Sequence, residues 1–431
     1  MQKRLFGFNV NARNLITCES AICHRGPNRQ NHLGTESEYT RMRLDYSRQP
    51  NHSRSSLRWV LILVFTFGNL STRASSTLFA DEAVVETPSV KSIRIATFNV
   101  SMYGKQAGEI RARLAERGDR QATQLARIVQ TVRPDVLLLN EIDFESDFGP
   151  AKRLAENYFA VAQPGGGDCE TLDPIEYPYV VSFPSNTGVD SKLDLNRDGQ
   201  TGSGNDAWGY GVYPGQYAMS ILSRYPIDLS TTRTFQQFRW SNLPNAQRPV
   251  DPNSAESYYP DTIWRQLRLS SKNHIDVVIR VGGRRFHILA SHPTPPVFDG
   301  PEDRNGARNH DEIIFWTHYV NNEESTKDWL VDDQGAFGGL AASEAFVVMG
   351  DLNADPVDGS GRREAIGRLL SLDRIRDVRP QWPKSDTSNQ DDDSTRLKTA
   401  DFGRNGLMRV DYVLPSRNLV TIGSGVFWPP N

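Results

Sequence analysis

Four short apolar runs in this chain each lead directly into an acid, an amide or a histidine, and a fifth carries an aspartate inside it. Ile93-Arg-Ile-Ala-Thr-Phe98 runs into Asn99, and Asp135-Val-Leu-Leu-Leu139 into Asn140-Glu141. Arg285 to Ala290 leads to Ser291-His292-Pro293, and Ala345 to Met349 leads to Gly350-Asp351-Leu352-Asn353. The run Arg409 to Leu414 contains Asp411. Short β-rich runs bounded by turn formers read as strands. Open sheets build ligand sites at strand C-termini, so this pattern points to a sheet protein with its polar groups gathered along one end.

The intervening segments fit that reading. Gln121 to Val132 places apolar residues at 125, 128, 129 and 132, the spacing of a helix face, and Pro134 ends it. With its flanking runs it predicts a strand–helix–strand unit. Tyr217 to Leu222 reads as a strand. Ile275 to Val281 and Arg285 to Ala290 read as a hairpin turned at Gly282-Gly283. Asp311 to Asn321 and Arg362 to Leu370 read as helices. The expected class is α+β: two mixed sheets packed face to face with helices outside. An apolar content of 38% is enough to fill such a core. Segments 184–214 and 383–404 read as surface insertions, and no internal repeat is present.

Charge divides the chain in two. Residues 1–80 hold eleven Lys and Arg against four Asp and Glu, a net of +7, whereas 81–431 hold 38 against 48, a net of −10. An acidic main domain is poor material for non-specific nucleic-acid binding, which works through basic patches. Within the basic extension, Arg54 and Arg58 precede the apolar run 59–67 (WVLILVFTF), and small residues follow up to Ala80. That is the layout of a secretory signal, so the mature protein is expected to begin near Asp81 and to be periplasmic or extracellular. The run is shorter than the roughly 20 apolar residues of a comfortable membrane span, which makes an anchor the lesser reading. Met42 offers an alternative start with an ordinary basic region. Cys18, Cys23 and Cys169 make neither a paired zinc motif nor, once the extension is removed, an intrachain disulfide.

Asn99, Glu141, His292, Asp351, Asn353 and Asp411 form a set of oxygen donors with a single histidine. Such donors suit a hard cation, Mg²⁺ or Mn²⁺, better than zinc. A hard cation beside a histidine suits phosphoryl chemistry, where the metal polarises the phosphoryl oxygen and a side chain handles the water. Asp351 and Asn353 are two apart, and in extended chain they point to the same side. Separately, Asp194, Asn196, Asp198 and Gly199 match the first half of a calcium loop. Its twelfth position is Asn205 rather than Glu, so a polar Asx/Gly loop competes with a structural Ca²⁺ site.

In combination, FN (98–99), NE (140–141), SH (291–292), GDLN (350–353) and RVDYVLPS (409–416) resemble the endonuclease/exonuclease/phosphatase superfamily over residues 92–430. SSK (270–272), residues 289–316 and SGVFWPP (424–430) are similar to a bacterial secreted branch of unassigned substrate. The resemblance implies a DNase I-like four-layer α/β/β/α sandwich. It implies Glu141 as principal metal ligand with Asn99 beside it. Asp351 and Asn353 would orient the attacking water and hold the phosphate. His292 would donate to the developing charge, and Asp411 would stand behind the residues that touch metal and phosphate, or orient a final histidine. Arg308 and Asn309, in the branch-like stretch with Glu312, are expected at the phosphate, with a structural ion pair as the competing role for Arg308. The family's terminal Ser-Asp-His strand has no counterpart before Asn431. The expected protein is therefore an exported phosphoesterase with a phosphate-ester substrate. Nuclease is the alternative substrate class, a non-catalytic binding protein the alternative function, and a monomer the expected state.

Overall fold

The structure is a computed structural model that describes residues 15–17, 92–165, 171–382 and 393–427. The expected signal run 59–67, the three cysteines and residues 383–392 of the second insertion lie outside the described residues. The chain divides into two units, residues 1–23 with 88–431 and residues 24–87, and the second lies wholly outside the described residues.

Two mixed sheets dominate the first unit. One runs in the order Gly425–Phe427, Leu15–Thr17, Ile95–Met102, Val136–Ile142, Ala218–Ser223, Tyr179–Ser182. The other runs Asp411–Pro415, Phe346–Asp351, Arg284–Ser291, His274–Val281, Ile227–Thr234. Side-chain alternation builds the layers. Leu137 and Leu139 pack with Phe98 against Leu125 and Val129 of the Arg120–Val132 helix. Val136 and Leu138 face the other way and meet Ile275, Val277, Ile288 and Met349 of the second sheet. Phe346 and Val348 in turn point outward, to Phe315 and Trp316 of the Arg304–Asn321 helix and to Ile366 of the Arg363–Leu370 helix. This is the expected α/β/β/α sandwich, and each fully buried aliphatic side chain contributes about 2 kcal/mol before entropy. The Arg120–Val132 helix also shows its local causes. Asp119 accepts the Ala122 N–H at 2.9 Å at one end, and Arg133 closes the other in the left-handed region, just before Pro134.

Two crossovers decide where the polar strand ends fall. Ile95–Met102 and Val136–Ile142 are parallel and joined by the Arg120–Val132 helix. Arg284–Ser291 and Phe346–Asp351 are parallel and joined by the Arg304–Asn321 helix. Parallel strands end together, so Asn99 lies by Glu141 and His292 by Asp351. Asp411–Pro415 and His274–Val281 run antiparallel to these neighbours, pairing Asp411 with Asp351 and His274 with Ser291. Their N-terminal ends therefore reach the same edge.

The first two strands run past the ends expected at Phe98 and Leu139. Register shifts occur between Asn99 and Met102 and between Asn140 and Ile142. Ser101 (φ 45°) and Glu141 (φ 58°) sit in the left-handed region inside these irregularities. Bulges of this kind re-aim side chains at strand ends, and non-glycine residues held there carry strain that clusters at working sites. Among the described residues, no helix is long and apolar enough to cross a membrane.

Candidate active site

The six polar residues singled out at or within the strands come to one edge of the sandwich. Asn99 is the hub. Its Nδ2 donates to Glu141 Oε1 and to Asp351 Oδ2, each at 3.0 Å, while its Oδ1 accepts the Ser101 N–H at 3.1 Å. Ser101 Oγ donates to the second Glu141 oxygen at 3.3 Å. His292 Nε2 stands 3.8 Å from Asp351 Oδ2 and 4.0 Å from Glu141 Oε1. The imidazole is buried, and among the described residues neither ring nitrogen has a hydrogen-bond partner. Burial, and then the nearby Lys272 ammonium, hold its pKa well below the ordinary histidine value, so the ring is neutral.

Two carboxylates at this edge, Asp351 and Asp411, resist ionisation. Burial pushes Asp351 up to about 6, with the Glu141 charge adding to it and the Asn99 amide opposing it. Burial raises Asp411 further, reinforced by Asp351 and Glu141 and only partly offset by the Thr399 hydroxyl. Both Asp411 oxygens are buried without a hydrogen bond of good geometry. Two unpartnered ring nitrogens beside a carboxylate held only by a weak Thr399 contact are rare among buried polar groups, and such groups call for an explanation.

Three expectations are corrected. Asp351 ends its strand, and Asn353 turns into the left-handed region (φ 51°), so the same-side rule of extended chain stops between them. Asn353 instead donates its backbone N–H to Asp351 Oδ1 at 3.0 Å and its side-chain amide to the Pro293 carbonyl at 3.1 Å. Arg308 is not free for phosphate on its Nε and Nη2. These donate to the carbonyls of Leu269 (2.8 Å), Trp208 (2.6 Å), Arg268 (2.9 Å) and Ser270 (3.1 Å). Asn309 is fully buried and gives its Nδ2 to the carbonyls of Thr294 at 2.8 Å and Leu352 at 3.0 Å. Glu312, one helical turn on from Arg308, accepts from Ser271 N, Ser271 Oγ and Thr294 N. This stretch of helix staples the loops that carry the site rather than lining it.

The Asp194 loop closes on its own backbone. Asp194 accepts the N–H groups of Asp198 (3.1 Å) and Gly199 (2.9 Å), and Asn196 donates to Asp198 at 2.9 Å. Asp206, just past the twelfth position, is buried in a capping box with Ser203 and accepts the Leu195 N–H. These are the bonds of the competing polar Asx/Gly loop. Among the described residues, no group of three or more His, Cys, Asp or Glu stands ready to hold an ion, either here or at the strand-end cluster.

Two features have no signal in the strand-end pattern. Lys272 is buried at this edge, its Nζ 3.4 Å from the Pro293 carbonyl. It precedes an antiparallel strand, whereas the pattern marks residues that follow strands. Tyr103 and Tyr217 pack at 4.4 Å between ring centroids, with Tyr210 stacked on Tyr217 at 6.4 Å. Burial raises the pKa of both Tyr103 and Tyr217; the Glu141 charge adds to it next for Tyr103, and for Tyr217 after Tyr103 and Tyr210. Tyr210 arrives on the 184–214 insertion.

The profile of the Endonuclease/Exonuclease/phosphatase family matches residues 96–431. No curated protein matches the sequence. Among solved structures, an endonuclease/exonuclease/phosphatase from Beutenbergia cavernae DSM 12333 is 16% identical, with a TM-score of 0.38 over 75% of this chain and 64% of its own. The chain thus spans less than two thirds of that protein. Sphingomyelinase C from Streptomyces griseocarneus is 16% identical (TM-score 0.37, 76% of this chain and 85% of its own). Beta toxin from Staphylococcus aureus, in a structure with bound magnesium ions, is 14% identical (TM-score 0.36, 76% and 84%).

Proposed function

The chain belongs to the Endonuclease/Exonuclease/phosphatase family, and from that premise we propose that it is an exported, divalent-metal-dependent phosphoesterase that hydrolyses a phosphodiester or phosphomonoester by in-line attack of water. The observation that carries this reading is the meeting of Glu141 and Asp351 on Asn99, with neutral His292 against both. Export rests on the signal-like pattern of residues 54–80.

The donor set fits Mg²⁺ or Mn²⁺. Such ions bind through one or two carboxylates and keep several waters, so a preformed cage is not required. Glu141, half-exposed and aimed by its bulge, would hold the ion, with Asp351 in support. As placed, Asn99 turns its amide nitrogen to both carboxylates and its oxygen to Ser101, so it orients the ligands; donating its oxygen to the ion requires the amide to reverse. The ion would supply Lewis-acid polarisation of the phosphoryl oxygen. Asp351 accepts a proton from the attacking water, a role suited to a carboxylate raised to about 6. His292 presents an uncharged N–H to the phosphoryl oxygens, where developing charge strengthens the bond in a water-poor site.

Asp411 favours a second reading. Burial, then the Asp351 and Glu141 charges, hold Asp411 towards its neutral form, where it cannot take up a proton, which suits a protein that binds a phosphate ester without turning it over. Within the enzyme reading, a small ester or a phospholipid head group suits the acidic main domain better than bulk nucleic acid, and nuclease is the runner-up. The test is a Mg²⁺-dependent hydrolysis panel of bis-p-nitrophenyl phosphate, sphingomyelin, RNA and DNA. Turnover of one substrate that EDTA and Glu141→Ala both abolish is expected. Turnover that survives Glu141→Ala overturns the metal assignment, and metal-dependent binding without turnover selects the second reading.

A further inference from the structure

The structure assigns Lys272 as a phosphate-binding residue of this cluster, its ammonium donating to a non-bridging oxygen of the bound phosphoryl group; the assignment rests on the phosphoesterase reading of the site. Lys272 lies outside every strand, two residues before His274–Val281, and only 6% of it is exposed. Among the described residues its ammonium makes one hydrogen bond, to the Pro293 carbonyl at 3.4 Å, at the limit for such a bond. An ammonium carries three donors, and among the described residues Lys272 makes no ion pair. Burying a cation in this way is unfavourable unless something completes its bonding.

Its surroundings say what that something is. Pro293, whose carbonyl Lys272 touches, directly follows His292, and the same carbonyl accepts from Asn353. Lys272 therefore sits with His292 and Asn353 around a single point. Burial lowers the Lys272 pKa, and the charges of Glu312, Glu141 and Asp351 close by oppose that fall. Glu312 is already bonded to Ser271 and Thr294, and Asp351 to Asn99 and Asn353, so these carboxylates balance the charge without capturing it. Two unused N–H groups beside an unpartnered imidazole are a donor set for an anion with several oxygens, and tetrahedral phosphate meets that requirement. A sulfate-like anion shares the geometry.

The test is calorimetric titration of the full chain with inorganic phosphate in EDTA, which reads binding without metal or turnover. Lys272→Met is expected to weaken phosphate binding at least about tenfold, the weight of one charge-assisted hydrogen bond, whereas Lys272→Arg stays within about threefold of wild type. The thermal midpoint of Lys272→Met is expected to hold or rise, because an unsatisfied buried cation is removed. Lys272→Gln, polar but uncharged, gives the same comparison should the methionine variant fold poorly. Unchanged phosphate affinity in a folded Met or Gln variant overturns the assignment, as does wild-type protein that binds no phosphate. A midpoint several degrees lower with affinity intact overturns it too, since that is the signature of a structural lysine. Phosphate held through Lys272 by a protein that hydrolyses no ester overturns the hydrolase reading alone; turnover with phosphate affinity indifferent to Lys272 overturns this assignment alone.

Discussion

The carboxylates of Glu141 and Asp351 belong to different sheets, yet both accept from one nitrogen, Asn99 Nδ2, at 3.0 Å. The amide bridges two acids that would otherwise repel each other across the sandwich. Asn99→Ala removes two hydrogen bonds to carboxylates, and the stability of the metal-free protein is expected to fall by about 2 kcal/mol. Mg²⁺ should recover part of that loss, because an ion between the acids replaces the missing donor. Urea unfolding in EDTA and in Mg²⁺ checks this, and equal losses in both would show that no ion sits between them.

Gly350 explains why the strand can end in Asp351 at all. Its φ is +149°, and a Cβ there would lie 1.9 Å from the Ser291 carbonyl oxygen, on the backbone of the neighbouring strand. Gly350→Ala must therefore push apart the two strands that present His292 and Asp351. A loss of about 3 kcal/mol is expected, combining backbone strain with a steric clash, together with loss of turnover. Gly367, inside the Arg363–Leu370 helix, has open space where a methyl group would stand, with nothing within 4 Å, so Gly367→Ala is expected to stabilise by about 0.5–1 kcal/mol. Thermal unfolding of the pair separates the two cases.

Legibility in the sequence follows the range of the interactions involved. The amphipathic helix and the crossover it makes depend on local pattern, and Met349-Gly350-Asp351 closes its strand where pattern puts it. Asn353 departs from its expected place because the extended period ends one residue earlier, before a left-handed turn. Arg308 is ambiguous in the sequence, since its staple role depends on carbonyls at Trp208 and Leu269 to Ser270 that only the tertiary fold brings close. Lys272 is hidden for a topological reason: whether a strand's beginning or its end meets the site depends on whether that strand is antiparallel.

Arg308 gives a clear contrast between a phosphate clamp and a staple. Lysine carries a compact point charge and cannot span carbonyls from the Trp208 and Arg268 to Ser270 segments as the guanidinium fork does. Arg308→Lys is expected to cost about 3 kcal/mol by leaving buried acceptors unsatisfied, while KM and kcat per folded molecule change less than about threefold. A clamp would show the opposite split: stability held and KM raised by a factor of roughly ten or more. Urea unfolding and steady-state kinetics on one preparation decide between them.

His274 makes the fold sensitive to acid. It is fully buried against Phe315 and Trp316, its Nε2 bonded to the Glu312 carbonyl at 2.7 Å. Burial depresses its pKa from 6.5 to about 4. The sign follows from which state takes the proton first. Below pH 6.5 the unfolded chain is protonated while the folded protein is not, so stability is fully present above pH 6.5 and is lost as pH falls towards 4. At about 1.4 kcal/mol per unit, the loss attributable to His274 amounts to about 3 kcal/mol. His292 and His318 are also depressed and add to the same slope, so the informative quantity is a difference. His274→Gln keeps a donor for the Glu312 carbonyl but binds no proton, and its stability should fall less steeply between pH 6.5 and 4 than that of the wild type. Parallel pH profiles for the two proteins would mean that His274 takes up its proton in the folded state as readily as in the unfolded one.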